Sequence, residues 1–294
     1  MNDKLRTDLF GSVGVGLRAC HYAHVELNYP AIPWFEVLSD NYLFDGGPGL
    51  RHLEKIRAAY PVTLHGVGMS LGSTDVLNWE YFRKLKSLIQ RVEPVMVSDH
   101  LCWTSFGGQY FHELLPLPYT EEAVRHTAGR IRAVQDFLGQ RIMIENVSSY
   151  FSCRYAELNE WEFLQAVADE ADCFILLDIN NIYVSARSHH FNPEDYIAGL
   201  NSRRIRQFHL AGFEDRGTHL LDTHSAPVHA PVWELFRQAL SKWGAIPAII
   251  EWDNQIPAFE RLQYEAAQAQ EIMTHHVNFA RVSTPVCDGI EFGK

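Results

Sequence analysis

At 294 residues the chain is longer than a minimal domain and has room for the roughly 250 residues that eight strand–helix units need. Lys plus Arg number 25 against 36 Asp plus Glu, and the net charge of −11 argues against unaided binding to nucleic acid or an anionic membrane. Hydrophobic residues at 47% supply a sizeable core, and no run of about 18 apolar residues marks a membrane span.

The first residues, MNDKLRTDLF, carry charges where a secretory leader would need an apolar run. Eight short apolar runs then recur: Val13–Leu17, Trp34–Leu38, Val62–His65, Val95–Asp99, Ile142–Glu145, Phe174–Asp178, Ile205–His209 and Ala248–Glu251. They start about 34 residues apart on average, the length of a strand–helix–strand repeat. Near-continuous apolar strands suit a parallel sheet buried on both faces.

The intervening stretches have helical spacing. Thr120 is an expected N-cap, followed by Glu121 and Glu122 in the first turn and a stripe of Val124, Ala128, Ile131, Val134 and Leu138 before Gly139. Asn159 precedes a second such stripe, and Pro231 opens a third. Eight units predict an α/β fold of one (β/α)8 TIM-type barrel, with the barrel over about residues 11–275 and a tail over about 278–294. The five cysteines, Cys20, Cys102, Cys153, Cys173 and Cys287, are odd in number and form no C-x-x-C pair. They are expected to be reduced thiols of a cytoplasmic protein, mostly packed in the core.

In such a barrel the active site lies at the C-terminal ends of the strands. Those ends read His65, Asp99-His100, Glu145, Asp178, His209 and Glu251 for strands three to eight, with Asn181 and the pair Asp222 and His224 just beyond. One strand-end His or Asp is usually a cap or a satisfied hydrogen-bonder. Six converging on one mouth would repel one another unless a cation neutralises them. The set exceeds what one ion uses, so two or three metals bridged by carboxylates are expected, with Glu145 the central bridge. Glu145, Asp178 and His209 form the expected catalytic core, and Asp99 supports rather than ligates. The donors contain no Cys and suit Fe, Mn or Zn; ligand type alone leaves oxygen chemistry and hydrolysis both open.

The motifs GVGLR, LHGVGMSLGS, VSDHLCW, IENVSSY, LLDINNIYVSA, FHLAGF, DTHSAPV and IIEWD, in this order over about residues 11–270, resemble the multinuclear non-haem iron-dependent oxidases, the family that includes the methanobactin-biosynthesis oxidase. The resemblance implies a barrel holding two or three irons with O2 as co-substrate. It also implies a ribosomally made, Cys-containing precursor peptide as substrate and a small peptide-recruiting partner protein in a heterodimer. By the same resemblance His65, His100 and Glu145 would hold one iron. Glu145, Asp178, His209 and Glu251 would hold its neighbour, and Asn181, Asp222 and His224 a third that shares Asp178.

The chief rival is a trinuclear zinc phosphodiesterase of the endonuclease IV type, which orders similar ligands along its strands. The net charge of −11 and the lack of a basic groove oppose it. Sugar isomerisation on a two-metal barrel would need a Lys beside the metals, and no strand end supplies one. A pure metal-storage or chaperone role would leave open coordination positions unexplained.

Overall fold

Short strands with apolar side chains on both faces alternate with helices along the chain. The computed structural model describes residues 9–283 except 45 and 202, with the backbone alone for 277–283. The first half runs β1 (Val13–Gly16), α1 (Tyr22–Asn28), β2 (Phe35–Leu38), α2 (Pro48–Ala59), β3 (Val62–Gly66), α3 (Trp79–Val92) and β4 (Val97–His100). A hairpin of β5 (Trp103–Phe106) and β6 (Gln109–Leu115) follows, then α4 (Glu121–Leu138), β7 (Met143–Glu145), α5 (Glu160–Ala171) and β8 (Phe174–Asp178). The rest is α6 (Ile179–His189), α7 (Pro193–Gly199), β9 (Ile205–Leu210), the ribbon β10 (Glu214–Asp215) and β11 (Leu220–Leu221), α8 (Ala230–Trp243), β12 (Ala248–Ile250) and α9 (Phe259–Ser283).

Eight parallel strands close in the order β1-β12-β9-β8-β7-β4-β3-β2, which is the TIM barrel that the repeat count predicts. Closure is made by Val13 opposite Ala248 and Val15 opposite Ile250. The end of the chain secures it: on α9, Gln270 accepts from the Val13 amide at 3.1 Å and donates to the Gly11 carbonyl at 2.9 Å.

The pleat divides the core in two. Outward residues such as Val37, Leu64, Ile175, Leu177, Phe208 and Ile250 pack against the helices. Inward residues Trp34, Met143, Leu176 and Ile249 join Leu9, Val95, Met96 and Phe174 in a separate apolar cluster that floors the lumen. Two residues further along the same strands stand Glu36, Glu145, Asp178 and Glu251. Period-two alternation therefore places an apolar floor below and a polar ring above on the same face.

The helix signals act as expected. Thr120 caps α4 by accepting from the Ala123 amide, and Gly139 ends it in a left-handed conformation, φ 77°. Asn159 and Glu162 form a reciprocal capping box on α5, and a Pro opens α8. The segment after β4 forms the β5–β6 hairpin, which reverses at Gly107-Gly108, where both glycines have positive φ. The helix α9 continues through Ser283, so 278–283 are not tail, and 284–294, including Cys287, lie outside the described residues. Cys102 and Cys173 are buried as expected, whereas Cys20 and Cys153 are exposed.

Two stability predictions follow from this packing. A Cβ on Gly14 would come within 2.6 Å of the Trp34 ring and 2.7 Å of its carbonyl oxygen. Gly14→Ala is therefore expected to lower unfolding free energy by about 1–3 kcal/mol or more, read by denaturant titration. The first residue of α5, Glu160, is buried against Tyr119, Tyr196 and Ser185, and burial raises its carboxyl to about 8 although these neighbours favour ionisation. A raised carboxyl is neutral in the fold and ionised when unfolded across pH 4.5–8, so its contribution declines as pH rises. Through this residue wild-type stability should fall by up to roughly 1.4 kcal/mol per pH unit in that window. In Glu160→Gln that part of the slope should vanish; equal slopes would show the carboxyl is not neutral in the fold.

Candidate metal centre

The top of the lumen gathers three groups of side chains. In the first, His65 on β3 and His100 on β4 bring their Nε2 atoms to 3.4 Å from each other and to 3.1 and 3.4 Å from Glu145 Oε2. In the second, His209 Nδ1 lies 3.3 Å from Glu145 Oε1 and 2.7 Å from Glu251 Oε2, and Asp178 completes the set. Glu145 belongs to both groups, one oxygen facing each. The third surrounds His224, whose Nε2 is 2.9 Å from Asp222 Oδ1 and 3.7 Å from Asp178 Oδ2.

These residues fit metal ions on an observation independent of their types. Both oxygens of Glu145, Asp178 Oδ2, Asn181 Oδ1, His209 Nδ1 and His224 Nε2 are buried without a hydrogen-bond partner. Glu145 Oε1 and His209 Nδ1 are 3.3 Å apart, and Asp178 Oδ2 and His224 Nε2 3.7 Å, yet neither pair shares a hydrogen bond. Leaving one buried polar atom unsatisfied costs about 1–3 kcal/mol, so such a cluster needs a common partner. Separations near 3 Å are those of neighbouring ligands on one ion with bonds of about 2.1 Å.

Each ring has its other nitrogen already held. His65 Nδ1 is 2.8 Å from Ser98 Oγ, and His100 Nδ1 is 3.0 Å from the Gly66 carbonyl. His209 Nε2 is 2.7 Å from Glu36 Oε1. His224 Nδ1 is 3.1 Å from Asp253 Oδ2 and 3.2 Å from Glu251 Oε2. That side of His224 already has a cation, because Arg18 lies 2.6 Å from Asp253 and 3.7 Å from Glu251. A metal there would face a guanidinium, so Nε2, toward Asp178 and Asp222, is the available donor.

Local sequence positions the third group. Asp178 ends β8 and caps α6 by accepting from the Asn181 amide at 2.6 Å, and Asn181 Nδ2 donates to the Asn146 carbonyl at 3.0 Å. Asp222 follows β11, where Ser148 and Asn180 donate to its two oxygens at 2.8 and 2.9 Å. His224 is held at φ 43°, the left-handed region. Asp99, fully buried, points out of the lumen: it accepts from the Met69 and His100 amides at 3.1 and 2.7 Å and touches no imidazole ring. It braces the loop after β3, and burial with Asp40 nearby raises its carboxyl to about 7.

Electrostatics without metal shows protons doing the neutralising. Burial opposes charge on His65, but Glu145 beside it takes the ring up to about 9. His209 and His224 are likewise raised against burial, by Glu251 and Asp222 respectively, while burial lowers His100. Burial would raise Glu145 and Glu251, but the rings around them hold both low; at Asp178 burial prevails and the carboxyl is raised.

The strand-end series thus converges, with Asn181, Asp222 and His224 beside it. Reading only strand ends passed over Glu36, Thr63, Ser98 and Gln207, which stand inside their strands, and Arg18 and Asp253, which follow theirs. The signal for Glu36 was the same two-residue step from an inward apolar residue, Trp34, that links Met143 to Glu145.

Residues 12–274 match the family described as RiPP precursor modification enzyme MbnB/TglH/ChrH. A UPF0276 protein of Acaryochloris marina is 54% identical over 263 residues, covering 90% of this chain and 95% of that protein. A UPF0276 protein of Vibrio parahaemolyticus is 38% identical over 283 residues, covering 95% and 96%. Among solved structures, an L-ribulose 3-epimerase aligns with TM-score 0.59 at 12% identity, covering 94% of this chain and 99% of that one. A D-tagatose 3-epimerase-like protein aligns with TM-score 0.59 at 14% identity, covering 92% and 98%. At such identities these structures share the fold alone.

The shared carboxylate is testable by metal content. Glu145→Gln should weaken binding in two groups at once, on the order of 100-fold or more, beyond the loss typical of a supporting residue. His224→Ala should lose one ion and retain the others, measured by plasma mass spectrometry. Wild-type metal content in Glu145→Gln would remove the bridging assignment. Because His65 holds its proton up to about pH 9 without metal, uptake at neutral pH should release protons and weaken on acidification.

Proposed function

The chain belongs to the MbnB/TglH/ChrH family of RiPP precursor modification enzymes, and from that premise we propose that it is a multinuclear iron enzyme using O2 to oxidise a cysteine of a ribosomally made precursor peptide. The observation that carries the metal part of this reading is the buried, hydrogen-bond-free donor set joined through Glu145. His65, His100 and Glu145 would hold one iron, and Glu145, Asp178, His209 and Glu251 a second. Asn181, Asp222 and His224 would serve a third beside Asp178. When bound, the irons supply the redox chemistry and the positive charge that lowers the pKa of a substrate thiol.

The remaining work falls to the protein. With no Cys among the donors, a peptide thiolate would be the sole sulfur ligand, which makes cysteine recognition a matter of ligand type. The floor of Trp34, Met143, Leu176 and Ile249 closes the lumen from below, so substrate must arrive at the C-terminal mouth. Half-exposed Tyr150 stands at that mouth and accepts from the Asp222 amide at 2.7 Å, where it can stack on a peptide while steadying a ligand. The β5–β6 hairpin begins three residues after His100 and exposes Phe106, Tyr110 and Phe111. A patch of that kind suits a small recruiting protein in a heterodimer. Exposed Cys20 and Cys153 fit a reducing cytoplasm. Among the described residues no helix is long and apolar enough to cross a membrane.

Protein purified without oxygen from iron-supplemented cells should contain two to three irons with a coupled-iron Mössbauer or EPR signature. With a Cys-containing precursor and its recruiting protein, O2 admission should change the peptide mass, and the Cys→Ser peptide should stay unchanged. Zinc at that stoichiometry, with iron neither present nor restoring activity, would overturn the oxidase reading in favour of hydrolysis.

A further inference from the structure

Beneath the ligands lies a second polar network, centred on Glu36. Its side chain is 3% exposed and fully engaged. Oε1 is 2.7 Å from His209 Nε2; Oε2 accepts from Thr63 Oγ1 at 2.9 Å and from Gln207 Nε2 at 2.6 Å. Thr63 is the register partner of Glu36 on the neighbouring strand, and Gln207 precedes His209 by two residues on the same inward face of β9. In the barrel order β2 and β9 are separated by β1 and β12, so the contact reaches across the lumen.

The placement of the ring decides which nitrogen of a metal-bound His209 would carry its proton. Without metal each nitrogen stands 2.7 Å from a carboxylate oxygen, Nε2 from Glu36 and Nδ1 from Glu251, and the ring can hold a proton on both. A metal taking Nδ1 beside Glu145 and Glu251 would leave the one remaining proton on Nε2, facing Glu36, which can only accept it. Gln207 Nε2 is also 3.1 Å from His209 Nε2, which would call for the opposite assignment. Flipping the Gln207 amide would set its oxygen 2.6 Å from Glu36 Oε2, two acceptors in contact, so its NH2 belongs to Glu36. In a metal-bound ring Nε2–H would lie against Glu36 and the lone pair on Nδ1 would face the ion between Glu145 and Glu251.

We propose that Glu36, held by Thr63 and Gln207, is a positioning residue that locks the tautomer of His209 and strengthens its Nδ1 as a metal donor. A carboxylate accepting from the far nitrogen of a ligand His orients the ring and raises its basicity. Here the arrangement is one-sided. His65 leans on a hydroxyl and His100 on a carbonyl, so among the β3, β4 and β9 rings His209 alone has a buried carboxylate behind it. The two ions that share Glu145 would then be electronically unequal, with the more electron-rich one on the His209 side.

The inference rests on His209 being a metal ligand, as in the reading above, and its test separates the two. Apo wild type, Glu36→Gln and Thr63→Val are loaded with Zn2+ or Co2+ under chelator competition, and with Fe2+ under anaerobic conditions. Glu36→Gln should weaken one site 10–100-fold while the His65/His100 site changes by less than about threefold. In Zn2+-loaded, histidine-labelled protein the strongly downfield Nε2–H resonance of His209 should move upfield in the variant, and the iron pair should be reduced at a higher potential. A merely structural role would not move the resonance or the potential. Affinity, resonance and potential all as in wild type would overturn the proposal. If Glu36→Gln does not fold, Thr63→Val must show the same shifts, smaller, or the proposal fails. Wild type that binds Zn2+ or Co2+ but supports no iron redox chemistry overturns the oxidase reading, and the Zn2+ and Co2+ arms still score Glu36.

Discussion

A carboxylate with no solvent exposure and neither oxygen hydrogen-bonded is what the rest of this molecule is arranged around. Burying Glu145 in that condition is unfavourable, and the surrounding rings relieve it only by holding protons that crowd the same space. The barrel makes the arrangement possible because its strands converge from all sides on one axis, so donors from β3, β4, β7, β8, β9 and the turn after β12 meet without any long loop. The apolar floor then matters as much as the ligands. By excluding water from below it keeps the local dielectric low, which strengthens every charge interaction above it.

Much of this was legible in the amino-acid order, and the reasons are physical. Parallel strands buried on both faces must be apolar, so a His or carboxylate ending each run stands out, and His65, His100, Glu145, Asp178, His209 and Glu251 were found that way. Asn181, Asp222 and His224 were visible through proximity to those ends. Glu36 was not, because it sits inside its run, where an acidic residue reads as an ordinary outward charge until pairing across the lumen is known. Arg18 and Asp253 escaped for a similar reason: their meaning lies in a contact between positions 235 apart in sequence. The β5–β6 hairpin was missed because its exposed face lacks the apolar alternation that marks a half-buried strand.

The likeness to sugar epimerases shows how little the barrel itself says about chemistry. Both groups share strands, helices and a C-terminal mouth, yet at 12–14% identity the side chains around that mouth are free to differ. The chemistry of this chain is therefore argued from its own side chains: the donor set joined through Glu145, the Arg18 guanidinium behind Glu251 and the Glu36 carboxylate behind His209.

The clasp between Gln270 and the first strand bears on when the centre can exist. Its two hydrogen bonds span 257 and 259 positions, and they reinforce from α9 the pairing of β1 with β12. Synthesis proceeds from the N-terminus, so a growing chain can pair β2, β3 and β4 long before Glu251 appears. During that interval His65 and His100 face a lumen with one wall missing. The full donor set thus needs Glu251 and a closed barrel, and the Gln270 clasp makes that closure depend on contacts spanning almost the whole described chain.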